Sequence, residues 1–467
     1  MKNFKKIDAA DLLFFEEILG KAQVSTDENV LAENSQDRTS EARFRAETVL
    51  FPRNPQEISQ ILAFCNKNSI PVTVRGAGTG LSGGAIPVQG GVILSMRRFD
   101  QILEIDERNL QVVVEPGVVT EFLQNTLQER GLFYPPDPAS RGSSFIGGNV
   151  STGAGGPRAV KYGVVKDYVI DLEVVLANGE IVRTGARTLK NSTSYNLTQI
   201  FVGSEGTLGV VTKIFLKLIP FPVFNLLMLA PFRSMGQASA AVSSIFRAGI
   251  VPSALEFMER EAVLRAIDYV GSSPFPVEPD TEAQLLIEVD GPQMAPLYVD
   301  CEKIAEVLAE FGVGEILFAD SDAQKTDLWR LRRSVGPAVK KGGVFLELDT
   351  VVPRAELPEL LDFIKKTSKK YGFQTVSFGH AGDGNVHVNV LKENISEEDW
   401  LEKVPLGIGE IFEKVRELGG TISGEHGIGL LQKKWLPIVF SPKEIDLRKG
   451  IKAVFDPNGI LNPGKVF

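Results

Sequence analysis

Cysteine and histidine are scarce in this chain, and long apolar or basic runs are absent. Its 467 residues contain two cysteines, Cys65 and Cys301, which lie far apart and outside any CxxC pattern. That arrangement excludes a disulfide framework and a self-contained iron–sulfur cluster, and it favours a reducing cytoplasm. Without a run of eighteen apolar residues we expect no transmembrane helix, and the N-terminal run LLFF is too short for the core of a signal peptide. The net charge of −9 argues against nucleic acid or an anionic membrane surface as a partner.

The length of the chain predicts two or three domains, because one core rarely serves so many residues. The hydrophobic fraction of 43% is typical of globular proteins. Composition and predicted elements divide the sequence into an N-terminal helical segment (1–40), a part rich in glycine and proline (41–220), a part with longer helices (221–420) and a C-terminal segment (421–467). The third part alternates helices with strands and is predicted to be an α+β domain.

Hydrophobic periodicity and turn residues predict individual elements. A short helix is expected near the N-terminus, and another begins at Pro55, where apolar residues recur at helical spacing. Further helices are predicted at 234–248, 297–310, 322–340, 354–371, 397–418 and 442–454. Strands are predicted at 71–74, 102–106, 111–115, 283–289, 344–349 and 386–390. Asn178-Gly179 marks a hairpin turn within 171–185.

Three segments of the first half are rich in glycine: VRGAGTGLSGG (74–84), a second at 134–156 and GSEGTLGVV (203–211). The first is not a dinucleotide fingerprint, because Leu81 occupies the third glycine position and Pro87 prevents a helix from following. Its backbone N–H groups suit an anion nest, with ordinary tight turns as the alternative. Three such segments together indicate a long cofactor whose diphosphate and flat ring need close backbone approach.

These segments resemble the FAD-binding domain of the vanillyl-alcohol-oxidase/p-cresol-methylhydroxylase flavoproteins. The matching stretches are PVTVRGAGTGLSGGAIP, PPDPAS with IGGNVSTGAGG, and FVGSEGTLGVVT. The resemblance is greatest to the 2-hydroxy-acid dehydrogenase branch, which holds glycolate oxidase D subunits, D-lactate dehydrogenases and D-2-hydroxyglutarate dehydrogenases. It spans roughly residues 40–467 and implies an α+β fold: a two-part FAD-binding domain (41–220), a substrate or cap domain (221–420) and a C-terminal segment (421–467) that returns to the flavin.

The resemblance also implies which residues contact the FAD. The diphosphate is expected along Arg75, Gly76, Ala77, Gly78, Thr79, Gly80, Leu81, Ser82 and Gly83. Further along the cofactor it implies Pro136, Asp137, Ser143, Gly147, Gly148, Ser151 and Thr152, then Glu205, Gly206 and Val210 on the adenosine side, and Asn462 in the tail. Gly153 departs from the family, where asparagine is common. Because this half contains no histidine and only the helix-face Cys65, we expect the FAD to be non-covalent.

All three histidines lie beside glycines, in HAGDGNVH (380–387) and SGEHGIG (423–429). A divalent transition metal prefers imidazole and carboxylate ligands, and Glu425 and His426 are adjacent and point differently, so that one can ligate while the other acts on substrate. The helical HExxH pattern of zinc proteases is absent, which gives hydrolysis little support. The resemblance implies that His380, His387 and Glu425 hold the metal, which could be zinc, iron or manganese, and that His426 is the general base. Asn389 shares a strand face with His387 and is a candidate substrate contact.

The helix at 322–340 carries three arginines, of which Arg332 matches the family's carboxylate-binding arginine. A solvated basic face is the alternative. The 2-hydroxyglutarate enzymes hold the second carboxylate with a lysine and a threonine, and here those positions are Glu347 and Gly336. A negative charge at Glu347 would repel that carboxylate, which favours a short monocarboxylic acid.

The sequence therefore predicts an FAD-dependent dehydrogenase that oxidises D-lactate or glycolate by metal-assisted deprotonation and hydride transfer. Its electrons are expected to pass to an electron-transferring flavoprotein or an iron–sulfur subunit, since the chain has no cluster ligands of its own. One alternative is D-2-hydroxyglutarate or another long D-2-hydroxy acid as substrate. Another, of a different class, is a metal-dependent hydrolase or a non-catalytic binding protein, which would purify without a flavin spectrum.

Overall fold

The computed structural model describes residues 3–39 and 44–467. The boundary predicted between residues 40 and 41 lies outside those residues. The helices, in chain order, are α1 (Ala9–Leu19), α2 (Glu28–Asn34), α3 (Pro55–Asn68), α4 (Thr120–Gln128), α5 (Ile146–Thr152), α6 (Ala159–Tyr162), α7 (Leu197–Phe201), α8 (Met235–Arg247), α9 (Arg260–Val270), α10 (Met294–Ala309), α11 (Asp322–Lys341), α12 (Leu357–Tyr371), α13 (Glu397–Glu417), α14 (Leu436–Val439) and α15 (Pro442–Phe455).

The strands complete the element order. They are β1 (Val24–Ser25), β2 (Thr48–Leu50), β3 (Val72–Arg75), β4 (Val92–Ser95), β5 (Ile102–Asp106), β6 (Gln111–Val114), β7 (Leu132–Phe133), β8 (Val169–Val175), β9 (Ile181–Arg183), β10 (Val210–Lys217), β11 (Ile219–Pro220), β12 (Phe224–Phe232), β13 (Ala254–Glu259), β14 (Ala283–Gly291), β15 (Leu317–Ala319), β16 (Phe345–Val351), β17 (Gln374–His380) and β18 (Asn385–Leu391). The predicted helices and strands named above are confirmed, with ends shifted by up to three residues.

The chain forms two units. Unit 1 comprises Met1–Gly155, Val164–Phe221 and Glu425–Phe467, and unit 2 comprises Gly156–Gly163 and Pro222–Gly424. Each unit contains helices and sheets, which agrees with the predicted α+β class. No helix within the described residues is long and apolar enough to cross a membrane.

Unit 1 is built on a four-stranded sheet of order β1-β2-β4-β3 and a five-stranded sheet of order β5-β6-β10-β8-β9. The first sheet pairs β2, β4 and β3 in parallel, and the second is antiparallel throughout. Helix α3 packs its apolar face against the parallel sheet, as the helical spacing of its apolar residues predicted. Its start is fixed by Asn54, whose side chain accepts the N–H of Glu57, and by Pro55 in the first turn.

Unit 2 is built on one seven-stranded antiparallel sheet of order β15-β12-β14-β13-β17-β18-β16. Helices α9 and α11 pack against one face of this sheet, where Leu331 and Val335 of α11 join Met258 and Phe378 of the strands in one buried cluster. Strands β17 and β18 form a hairpin that lies between β13 and the edge strand β16. That hairpin carries two of the three histidines.

Candidate active site

The three glycine-rich segments meet within unit 1. A Cβ added to Gly76 in the first segment would lie 3.8 Å from the Cα of Gly148 in the second. The carbonyl oxygen of Ser151 in the second segment accepts the N–H of Glu205 in the third at 2.8 Å. The first segment therefore lies against the second, and the second against the third.

The C-terminal tail joins the same cluster through Asn462. Its backbone N–H donates to the carbonyl oxygen of Val72 at 2.7 Å. Its side-chain amide donates to the carbonyl oxygens of Gly84 at 3.0 Å and Glu205 at 2.7 Å, while its own oxygen accepts the ammonium of Lys465. The predicted cofactor segments and the predicted tail residue therefore lie together.

Glu205 is a buried carboxylate that binds the C-terminal segment. It accepts the N–H groups of Ile428 at 2.7 Å and Gly429 at 2.8 Å. Burial raises the pKa of Glu205 to about 7, and those two N–H groups act in the opposite direction. Gly427 has a φ of +79°, and a Cβ there would lie 2.9 Å from the carboxylate carbon, so glycine is required.

The other residues predicted to contact FAD also lie in unit 1. Residues 76–83 follow β3 without forming a helix, as expected from Pro87, and Arg75 donates from its guanidinium to the carbonyl oxygens of Gln36 and Glu33. Gly153 ends α5 with a φ of +68°. This left-handed position favours glycine or asparagine, which accounts for the departure from the family pattern. The remaining predicted positions lie in coil after β7 (Pro136, Asp137, Ser143), in α5 (Gly147, Gly148, Ser151, Thr152), beside Glu205 (Gly206) and at the start of β10 (Val210).

Glu425 and His426 open the last segment of unit 1. The Nε2 of His426 lies 3.8 Å from the carboxylate of Glu425. A Cβ added to Gly155 would lie 2.8 Å from that carboxylate, so the glycine lets Glu425 approach the second glycine-rich segment. The carbonyl oxygen of His426 accepts the hydroxyl of Ser82 at 3.0 Å, which ties the predicted base to the first segment.

His380 and His387 lie side by side in unit 2, on neighbouring strands of the hairpin. Their ring centroids are 5.3 Å apart and their planes are nearly perpendicular, at 89°. Both side chains are almost wholly buried. Two imidazoles so placed can present ring nitrogens to one ion, provided that the other nitrogen of each ring is held.

A buried carboxylate holds His380. Glu256 of β13 is fully buried, and both of its oxygens lie 2.9 Å from the Nδ1 of His380. The same carboxylate pairs with the guanidinium of Arg332 at 2.5 Å. Burial alone would raise the pKa of the Glu256 carboxyl, but the charges of His380 and Arg332 outweigh it and hold that pKa below its usual range.

A second buried carboxylate, Asp349 of β16, lies beside His387. Its Oδ1 is 3.5 Å from the Nδ1 of His387 and accepts the amide of Asn385 at 2.9 Å. Its Oδ2 accepts the hydroxyl of Ser423 at 3.0 Å and the N–H of Gly424 at 2.8 Å. Gly424 immediately precedes Glu425, so Asp349 fixes the end of unit 2 from which the predicted ligand and base continue.

Asn389 lies on the same strand face as His387 and is fully buried. Neither atom of its side-chain amide has a hydrogen-bond partner among residues 3–39 and 44–467. The Nε of Arg332 is likewise buried with no hydrogen-bond partner in that part of the chain. Buried polar groups are normally satisfied, so these donors and acceptors indicate a polar ligand. Glu347 is the cross-strand partner of Asn389, and its carboxylate pairs with Lys340 at 3.0 Å.

The sequence singled out candidate residues for the chemistry but missed the residues that contact them. Glu256, Asp349 and Lys340 were not singled out. An acidic residue within an otherwise apolar strand, as in ALEFME and VFLELD, is the signal that points to Glu256 and Asp349. Lys340 has no comparable signal, because it is one of several charged residues on α11.

Comparison with known proteins matches both halves of the chain to FAD-linked enzymes. Residues 46–185 match the FAD binding domain family, and residues 222–466 match the family described as FAD linked oxidases, C-terminal domain. The glycolate oxidase subunit GlcD of Bacillus subtilis is 42% identical over 93% of this chain and 91% of its own length. A D-lactate dehydrogenase of Anaerostipes hadrus is 39% identical over 90% of each chain.

The fold agrees with the same family. The crystal structure of p-cresol methylhydroxylase superimposes with a TM-score of 0.80 over 97% of this chain and 96% of that chain, at 18% identity. At that identity the likeness shows the fold alone, and it confirms the predicted architecture of an FAD-binding domain with an α+β C-terminal domain. With its glycine-rich segments gathered in one unit and both family models matched, the chain belongs to the FAD-linked oxidases of the vanillyl-alcohol-oxidase/p-cresol-methylhydroxylase type and is an FAD-linked oxidoreductase.

Proposed function

We propose that this oxidoreductase oxidises a short 2-hydroxy acid, either D-lactate to pyruvate or glycolate to glyoxylate, and passes the electrons to a partner protein. The observation that carries this proposal is the buried polar face of unit 2. There an arginine, an asparagine whose amide has no hydrogen-bond partner among the described residues, and two buried histidines with a carboxylate near Nδ1 lie within one sheet-and-helix cluster. The names of the similar proteins, a glycolate oxidase subunit and a D-lactate dehydrogenase, support the same class of substrate.

Arg332 and Asn389 are proposed to bind the substrate. The guanidinium of Arg332 is held on one side by Glu256, while its buried Nε is available as a donor to the substrate carboxylate. The unpartnered amide of Asn389 can both donate to and accept from a second polar group of the substrate. Excluding water from these groups strengthens each contact and fixes the orientation of the acid.

The donors in this cluster suit a divalent metal. His380 and His387 each have a carboxylate next to Nδ1, which leaves Nε2 as the ligand nitrogen, and we propose Glu425 as the third ligand. This set does not select among zinc, iron and manganese. When bound, the metal would supply a Lewis acid for the 2-hydroxyl, and FAD would supply a hydride acceptor for C2.

His426 is the proposed general base, which takes the proton of the 2-hydroxyl on a ring nitrogen. The carboxylate of its neighbour Glu425 lies 3.8 Å from the Nε2 of His426. The substrate thus loses one proton to His426 and one hydride from C2, and the product is the 2-keto acid. The reduced flavin then needs an electron acceptor, for which we propose an electron-transferring flavoprotein or an iron–sulfur subunit, because both cysteines of the chain are buried and separate.

D-2-hydroxyglutarate or another long D-2-hydroxy acid remains the second candidate substrate. The negative charge of Glu347 argues against a second carboxylate, but its ion pair with Lys340 offsets part of that charge. The non-redox alternatives have lost their basis, because the chain belongs to a family of FAD-linked oxidases.

His426→Ala tests the proposed function. The variant should bind FAD as the unaltered protein does, because no predicted FAD contact is removed. Reduction of its flavin by D-lactate or glycolate without oxygen should slow by about 10²- to 10⁴-fold, the usual contribution of a general base. His426→Gln, which keeps polarity and most of the volume, should be equally slow. Undiminished bleaching of the flavin in both variants would remove the assignment of the base.

A further inference from the structure

We infer that Glu256 is a positioning residue that joins the two functions of the substrate site: it orients His380 towards the metal and Arg332 towards the substrate carboxylate. The inference rests on the proposed function, because it presumes that His380 is a metal ligand and that Arg332 binds an anion. It goes beyond that function because Glu256 contacts neither metal nor substrate in it.

Glu256 is placed to contact both groups at once. It lies in β13, between β14 and β17, and none of its surface is exposed. Its two oxygens receive the Nδ1 of His380 at 2.9 Å, and its Oε2 also lies 2.5 Å from an Nη of Arg332. One carboxylate therefore connects a histidine on a strand with an arginine on a helix, and these two residues lie 48 positions apart in the sequence.

Towards His380, the carboxylate fixes the tautomer of the ring. A proton on Nδ1 is donated to Glu256, which leaves the lone pair of Nε2 available to a metal ion. The negative charge also raises the basicity of the imidazole as a ligand. Loss of the charge should therefore weaken metal binding even if the shape of the site is kept.

Towards Arg332, the Glu256 carboxylate competes with the substrate carboxylate for the guanidinium. It lies 2.5 Å from Nη2, the nitrogen beside the Nε that lacks a hydrogen-bond partner among the described residues, and so competes with an external anion for that part of the guanidinium. It also neutralises a buried positive charge. Loss of the negative charge should leave that guanidinium with a stronger attraction for an external carboxylate.

The two roles predict effects of opposite sign in one isosteric variant. In Glu256→Gln the dissociation constant for zinc should rise about 10- to 100-fold, the usual cost of losing a partner behind a metal ligand. Zinc is measured by competition with a chromogenic chelator in the FAD-bound protein. In the metal-free protein the dissociation constant for propionate, followed by perturbation of the flavin spectrum, should fall about 3- to 10-fold. A general loss of packing would weaken both ligands together.

Glu259→Gln is the matched control. Glu259 lies three residues along the same strand, is similarly buried, and pairs with Lys365 at 2.8 Å, not with a histidine. The Glu259→Gln variant should be less stable but should bind zinc and propionate with unchanged dissociation constants. Glu256→Asp keeps the charge but is one methylene shorter, so it should bind propionate as the unaltered protein does and zinc with intermediate strength.

Three outcomes overturn the inference. They are unchanged zinc affinity in Glu256→Gln, parallel weakening of zinc and propionate, and an equal effect in Glu259→Gln. In each of these the unaltered protein still binds zinc and is reduced by D-lactate or glycolate, so the proposed function stands. A protein that binds no zinc and is reduced by no 2-hydroxy acid removes the proposed function, and the inference fails with it.

Discussion

At the residue scale, the pair of Lys340 and Glu347 sets the charge beside Asn389. Lys340 lies in the last turn of α11 and Glu347 in β16, and their charged atoms are 3.0 Å apart. Little of the Glu347 side chain is exposed, so neither charge is strongly screened by water. The pair is close to neutral as a unit, and removing either member leaves a charge of known sign.

Glu347→Gln should therefore shift selectivity towards dicarboxylic 2-hydroxy acids. Without its partner, Lys340 can attract a distal carboxylate, and we expect kcat/KM for D-2-hydroxyglutarate relative to D-lactate to rise about tenfold, or about 1.4 kcal/mol in the transition state. Steady-state rates with an artificial electron acceptor measure this ratio. In Lys340→Met/Glu347→Gln the gain should disappear, because the cation is gone. A ratio that rises equally in the double variant would show that the lysine is not the cause.

The candidate reactive residues could be singled out in the sequence because their types are rare and their spacing is short. Three histidines in two glycine-rich motifs leave few arrangements. Glu256 and Asp349 escaped prediction because their importance comes from pairing over long distances in the sequence. Glu256 meets His380 only after β13 and β17 become neighbours in the sheet. No local pattern specifies that pairing.

At the element scale, the β17–β18 hairpin depends on Gly384. This residue has a φ of +85°, and a Cβ there would overlap the carbonyl oxygen of Val352. Both the left-handed backbone and the close approach therefore require glycine. The turn sets the register in which Phe378 faces His387 and His380 faces Asn385.

Gly384→Ala should destabilise unit 2 and weaken the proposed metal site. The left-handed conformation alone costs about 1–2 kcal/mol for alanine, and relief of the overlap adds a shift of the turn. Gly372→Ala is the matched control, because Gly372 has a φ of +76° but open space around its Cβ position. Urea unfolding should show a greater loss for Gly384→Ala, and chelator competition should show weaker zinc binding in that variant alone. Equal losses of stability in the two variants would mean that the backbone at Val352 moves aside without a measurable free-energy cost.

Elements with a clear period or a marked turn were predictable, and some of the buried strands were not. Helices such as α3, α8 and α13 have one apolar face, and the β8–β9 hairpin has Asn-Gly at its turn. Strand β12, by contrast, reads FNLLMLAPF and is buried along most of its length. A continuous apolar run does not distinguish a central strand from a buried helix, so β12 was missed.

At the scale of the whole molecule, the order of strands and the placement of one short segment lay beyond the sequence. The order β15-β12-β14-β13-β17-β18-β16 places strands far apart in the chain next to each other, and Gly156–Gly163 belongs to unit 2 although unit 1 surrounds it in sequence. Lys161 explains that placement, since its ammonium binds Asp290 at 2.6 Å. Such contacts depend on the assembled sheet and not on local propensity.

The stability of the whole chain should depend on pH through a buried lysine in unit 1. Burial lowers the pKa of Lys465 to about 7, while the charges of Asp37 and Glu205 act in the opposite direction. This value lies below the ordinary 10.5, so on raising the pH the folded protein loses the Lys465 proton before the unfolded chain does. The contribution of Lys465 to stability is therefore complete above pH ~10.5, decreases as the pH falls, and is lost at about pH 7. The pH dependence that Glu205 adds has the opposite sign. Its pKa of about 7 lies above 4.5, so its contribution to stability is lost as the pH rises from ~4.5 to ~7 and is constant above that range.

Between pH 7 and 9.5 the flavin-free chain should therefore gain up to about 1.4 kcal/mol of stability per pH unit from Lys465. Lys465→Met removes this titrating group, and its free energy of unfolding in urea should rise less steeply over that range. Cysteine and tyrosine titrate in both proteins, so the difference between the two profiles isolates the lysine. Lys434→Met, which alters an exposed lysine of the same segment, should follow the unaltered protein. Parallel profiles for Lys465→Met and the unaltered chain would show that the buried amine keeps its proton, held by Asp37 and Glu205 as an ion pair.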